Sequence, residues 1–143
     1  MEEMLSVLLF MFGIEGFLIY NYGSGLYLGV EKNIVIGVPL PLAESFDIEY
    51  TKDMPEYLSV YITSLKMELA VTPGHQRIAI AMPYSYDDFQ IVLDEINMYR
   101  ILHNGMCLTF TAGIFSREVC EDDDFQLFEF EDSSTSISGS EIY

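Results

Sequence analysis

Residues 85–103 read SYDDFQIVLDEINMYRILH, and the assignment of this stretch decides the architecture. Apolar side chains fall at Phe89, Val92, Leu93, Ile96 and Tyr99, with Gln90, Asp94 and Asn97 on the opposite side, the spacing of an amphipathic helix. Ser85 and Asp88 have the S-x-x-D form of a capping box, and the early acids suit the positive end of a helix macrodipole. Arg100 and His103 suit the other end, and Gly105 stands where a helix-terminating residue belongs. The spacing predicts one helix over about 85–102.

The flanking sequence alternates with period two, the mark of half-buried strands. Leu26, Leu28 and Val30 share a face; so do Phe46, Ile48 and Tyr50, then Leu58, Val60 and Ile62, then Met67, Leu69 and Val71. Ile78, Ile80 and Met82 follow a Pro73-Gly74 turn, and strand-like runs recur at 106–112 and 125–131. Glu31-Lys32-Asn33 reads as a hairpin loop, and Pro39 and Pro41 make residues 39–45 a connection. The apolar stretch from Met4 to Tyr20 reads as core strands: Gly13, Glu15 and Gly16 interrupt it, and it falls short of the roughly 20 residues that span a bilayer. Gly23, Gly25 and Gly29 precede a strand pattern, so they read as a hairpin turn and not a dinucleotide-binding turn. No internal repeat emerges. The expected fold is mainly β (α+β): an antiparallel β-sandwich or barrel-like domain over 1–132 with one helix packed on it, then a flexible Ser-rich acidic tail over 133–143.

Composition sets the surface. The 143 residues carry 23 Asp and Glu against 6 Lys and Arg, a formal net charge of −17, yet half of them are hydrophobic. That much apolar material supports a filled core, which leaves the charge outside and repels nucleic acid and anionic lipid. Glu2 and Glu3 replace the basic region of a signal peptide, so the expected location is intracellular, cytoplasmic or nuclear. Cys107 and Cys120 are too few for a disulfide framework; one bridge between them is the alternative, and two free buried thiols are the reading that suits a reducing compartment.

The chemistry-bearing residues are sparse. His75, His103, Cys107 and Cys120 lack the spacing of a zinc site, and Glu121 to Asp124 lacks the glycine and spaced ligands of a calcium loop. No nucleophile motif or phosphate loop is present, so no catalytic residue, metal or cofactor is expected. The most acidic region runs from Glu118 to Asp132. In an extended strand Glu129 and Glu131 would lie on one face about 6.8 Å apart, a spacing comparable to that of backbone phosphates.

These features predict an acidic, non-enzymatic module that occupies a basic site on a partner. It would act as an inhibitor or nucleic-acid mimic of the kind a virus or phage encodes, or as a chaperone of a histone-like client. Glu121, Asp122, Asp123, Asp124, Glu129 and Glu131 would supply the charge, with Phe128 and Tyr57 as apolar anchors. The alternatives are a structural subunit of a homo-oligomer and a hydrolase using Asp87, Asp88 and Asp94.

Overall fold

The computed structural model describes residues 14–50, 58–63, 65–73, 77–85, 87–95 and 97–132. Residues 133–143, Tyr57 and His75 lie outside them, as does the first part of the Met4–Tyr20 stretch. The described residues form twelve strands in three consecutive groups of four. The first group is β1 (Ile14–Asn21), β2 (Leu26–Glu31), β3 (Ile34–Val38) and β4 (Phe46–Tyr50). The second is β5 (Leu58–Ile62), β6 (Met67–Val71), β7 (Ala79–Met82) and β8 (Gln90–Glu95). The third is β9 (Met98–His103), β10 (Met106–Thr111), β11 (Ile114–Glu118) and β12 (Phe128–Asp132).

The expected helix does not form. Its residues make the β8–β9 hairpin, with Ile91 opposite Ile101 and Leu93 opposite Tyr99. Phe89, Ile91 and Leu93 satisfy a period of two as readily as Phe89, Val92 and Leu93 satisfy a helical one, and β-branched Ile91 and Val92 favour the extended chain. Asn97, assigned above to a polar helix face, turns the hairpin at φ 62, a left-handed conformation that asparagine tolerates. The Ser85 hydroxyl does accept the Asp87 N–H at 3.0 Å, but as a local turn and not a helix cap. Among the described residues the only helical pieces are 3₁₀ turns at Leu40–Leu42 and Asp124–Gln126.

Antiparallel pairing runs β1–β12–β9–β10–β11–β3–β7–β6–β5–β4 and returns to β1, so ten strands close a barrel. Strand β2 bridges β1 and β3, and β8 flanks β9. The three groups are structural repeats of one another. Around one end, Ile34 pairs with Ile80, Ile78 with Ser116, and Ile114 with Ile36, each group reaching the next in a cycle. Backbone bonds repeat the cycle: Ala81 N–H to the Asn33 carbonyl, Arg117 N–H to Arg77, and Gly37 N–H to Gly113, at 2.8–3.0 Å.

The core repeats too. Phe46, Phe89 and Phe128 each sit just before or at the start of the fourth strand of their group and are fully buried. Leu28, Leu69 and Leu108 occupy equivalent places on the second strands, and Val35, Ala79 and Phe115 on the third. One large, one medium and one small side chain thus meet near the axis, as close packing requires when three residues share one space. Phe128, expected as a surface anchor, is therefore a core residue.

Replacing Phe46, Phe89 or Phe128 with Ala should cost about 3–5 kcal/mol each in chemical denaturation. A Phe128→Ala variant within about 0.5 kcal/mol of the parent, the range of a surface substitution, would contradict this packing.

Candidate functional site

The β10–β11 hairpin turns through Ala112 and Gly113, at φ 52 and 91, the pair of left-handed residues that matches the twist of the flanking strands. Cross-strand register sets Cys107 opposite Glu118, Thr109 opposite Ser116, and Thr111 opposite Ile114. The outer face thereby gathers Thr111, Ser116 and Glu118. The Thr111 and Ser116 hydroxyls both donate to Glu118 Oε2, at 2.9 and 2.8 Å. With Ile78 and Ile114 as apolar flanks, and with Ala112 and Arg117, they line an open depression of about 440 Å³. The positions equivalent to Ser116 and Glu118 hold Ile36 and Val38 in the first group, and Ile80 and Met82 in the second. Only the third group carries this polar set.

On the inner side of the same strand, Arg117 Nη1 donates to His103 Nδ1 at 2.9 Å. A guanidinium has no acceptor, so Nε2 carries the imidazole proton and donates to Asp87 Oδ1 at 3.0 Å. Asp87 Oδ2 accepts the Val71 N–H at 2.9 Å. Burial lowers the Arg117 pKa from its ordinary value; the Arg77 charge pushes the same way and Asp87 opposes it. This network braces the strand that presents Ser116 and Glu118. Asp87, a candidate hydrolytic acid, is thus a structural acceptor, and Asp94 is paired with Arg100 at 3.1 Å. Among the described residues no three His, Cys, Asp or Glu side chains are grouped to hold a metal ion.

The predicted acidic surface is divided. Asp123 accepts the Phe125 N–H at 2.9 Å and caps the Asp124–Gln126 turn. Glu121 is held through its backbone: its N–H donates to Gln126 Oε1 at 2.8 Å, and its carbonyl accepts from Arg100 Nη1 at 2.8 Å. The Asp124 carbonyl accepts the Gly23 N–H at 3.0 Å, and a Cβ on Gly23 would fall 2.7 Å from Phe125 N. Only glycine allows that approach. Asp122 is exposed on the same loop. Glu129 and Glu131 lie elsewhere, on the barrel wall, where Glu129 faces Tyr20 in the β1–β12 register and Glu131 accepts from Tyr27 Oη at 2.9 Å. They do not form one continuous row with the loop.

Two organising features escaped the sequence reading. Gln126 is buried and holds four partners: Thr109, Val119, Arg100 and Glu121. Cys107 and Cys120 are not free thiols but a disulfide, because the β11 turnback brings their Cα atoms to 5.0 Å. Glu118 was visible only as the first acid of an acidic stretch. The signal that could have singled it out is the alternation of Ser116 and Glu118 across an Ala112-Gly113 turn from Thr111.

No family model matches the sequence, and no curated protein is similar to it. Solved structures are similar in fold. The Macrolepiota procera ricin B-like lectin, in complex with lactose, superposes with TM-score 0.72 at 14% identity, covering 82% of this chain and 94% of that one. The Rhizoctonia solani agglutinin gives 0.71 at 11% identity, over 83% and 96% of the two chains. A proteinase inhibitor from Coprinopsis cinerea gives 0.63 at 11% identity, over 82% and 96%. The fold they share with this chain is the β-trefoil, here a closed antiparallel barrel built from three four-strand units. These likenesses overturn the expected function. The three structures named are a lectin, an agglutinin and a proteinase inhibitor, and they lead away from a viral-type nucleic-acid mimic with a basic protein partner. The homo-oligomer and hydrolase alternatives find no support either.

Burial, followed by the hydrogen bond to Glu131, pushes the Tyr27 hydroxyl from 10.0 up to about 12. A raised pKa favours the neutral phenol in the folded state. Its stabilising contribution is whole below pH 10 and is lost as pH rises through about 12. The difference between ultraviolet titrations of the parent and Tyr27→Phe should show this late ionisation, and Glu131→Gln should bring it earlier. A Glu131→Gln curve identical to the parent's would contradict the contact.

Proposed function

We propose that this protein is a non-catalytic carbohydrate-binding module that takes its sugar in the depression of the third unit. One observation carries the reading: Glu118, oriented by Thr111 and Ser116, lies beside the apolar flanks of Ile78 and Ile114. A sugar offers that combination in reverse, with hydroxyl groups around its rim and C–H groups on its faces. Two of the similar structures hold a saccharide, lactose in one and asialo-GM1 saccharide in the other, which supports the class. The apolar residues at the equivalent positions of the other two units favour one sugar per chain. The closed barrel supports a single domain, and the Cys107–Cys120 bridge supports an oxidising compartment over the intracellular one expected above.

Calorimetric titration with neutral oligosaccharides, lactose among them, should return one site per chain. Glu118→Ala should weaken binding roughly ten- to hundredfold, as loss of about 1.5–3 kcal/mol from a hydrogen bond to a charged group implies, with an unchanged Tm. Binding that is indifferent to Glu118→Ala, or absent for every sugar, would refute the proposal.

A further inference from the structure

Where the three units close on one another, their third strands leave a continuous apolar surface on the outside of the barrel. Val35, Ala79 and Phe115 are fully buried toward the core, so the residues on either side of each face outward: Ile34 and Ile36, Ile78 and Ile80, Ile114 and Ser116. Each of the six neighbours the next, either two places along its own strand or directly across a strand pair. The result is a closed ring on the order of 10 Å across, running Ile34, Ile36, Ile114, Ser116, Ile78, Ile80 and back to Ile34. Five members are isoleucine, and none is charged in a chain with 23 Asp and Glu. Ile34 is 38% exposed and the others are half-buried. Single apolar residues on a surface are ordinary, whereas a contiguous apolar patch marks a binding surface. Ser116, the one polar member, lies between Ile78 and Ile114 in the depression assigned to the sugar, which Thr111, Ala112, Arg117 and Glu118 complete. Depression and ring are therefore one surface, with its polar groups at one edge and an apolar platform beside them.

We infer that the ligand is a glycolipid, whose sugar occupies the depression while the first part of its alkyl or acyl chain crosses the isoleucine ring. This rests on the carbohydrate reading and deepens it by naming what the sugar is attached to. The Ile34–Ile80 pair stands across the ring from Ile114 and Ser116, so a chain leaving the sugar there runs over apolar side chains until it meets that pair. A free oligosaccharide would fill the depression and leave the ring in water. A second copy of this chain fits less well, because it would bring another charge of −17 against the first, whereas a hydrocarbon chain is neutral.

The test uses the full chain and methyl, butyl, octyl and decyl β-lactosides, each titrated below its micelle-forming concentration. Affinity should rise about twofold per methylene from methyl to octyl, as half-burial of each methylene implies. Decyl should add less than about twofold to octyl, because the chain then runs past the ring and its last methylenes stay in water. The double variant Ile34→Thr/Ile80→Thr should cut the octyl-to-methyl ratio from about a hundredfold to under about tenfold. Ile34→Thr alone, at the more exposed position, should cut it partway and keeps the test open if the double variant does not fold. Val92→Thr, exposed on β8, should leave the ratio intact. Flat affinity across the series would overturn this inference and leave the carbohydrate reading standing, as would a rise that both ring variants left unchanged. Equal capture by sugar-free phosphatidylcholine vesicles, in the parent and in Glu118→Ala, would assign the ring to bare lipid and overturn it too. So would a dimer in light scattering that Ile34→Thr dissociates, which would assign the ring to a second copy. If no lactoside bound, the inference would fail, and the carbohydrate reading would fall with it only if every other neutral sugar also failed to bind.

Discussion

The structure depends on the junction where the third strands of the three units meet. No four-strand unit of this size can bury its own apolar face, so each must borrow cover from its neighbours. The cycle Ile34–Ile80, Ile78–Ser116 and Ile114–Ile36 supplies the ladder that closes them, and Val35, Ala79 and Phe115 fill the space beneath. Closure leaves few open strand edges, which matters for a chain with so much apolar sequence. From that junction the rest follows. Phe46, Phe89 and Phe128 face the same core, and the outer faces of the hairpins are released for other uses.

A charge of −17 is compatible with this fold because the carboxylates are given local work instead of being crowded together. Asp87 bridges Val71 and His103, Asp123 caps a turn, Asp94 meets Arg100, and Glu131 accepts from Tyr27. The acid-rich loop from Val119 to Leu127 is tied down by the disulfide at one end and by Gln126 at the other. Its acidity alone suggests a binding surface, yet its backbone is spent on holding the start of β12 against the β1–β2 turn. Glu118 differs from these acids. Its two hydrogen-bond donors orient it on an open face and leave one oxygen unengaged by them.

Much of the strand pattern was legible, because in strands such as Met67–Val71 and Phe46–Tyr50 one face is apolar and the other carries charge. The 85–103 segment was not, since its apolar residues fit both periods and the choice is made by partners distant in sequence. Phe89 belongs with Phe46 and Phe128, not with a helix face. The three-fold repeat was hidden for a related reason. Only a few buried positions recur, such as Leu28, Leu69 and Leu108, at intervals of roughly 40 residues, and the loops between them differ in length. The candidate site was less legible still: Thr111, Ser116 and Glu118 become neighbours only when the hairpin register is known. The Arg117–His103–Asp87 network and the disulfide join residues from separate elements, and nothing in their local sequence announces it.

Native-state hydrogen exchange at the amides of Gly37, Ala81 and Arg117 tests the central claim most directly. These three N–H groups close the cycle between units, so they should open only with global unfolding and show one common protection free energy equal to the stability from denaturant titration. Exchange of any one of them at the level of a fraying loop, while the other two stayed protected, would mean that the three units do not close on one another as described.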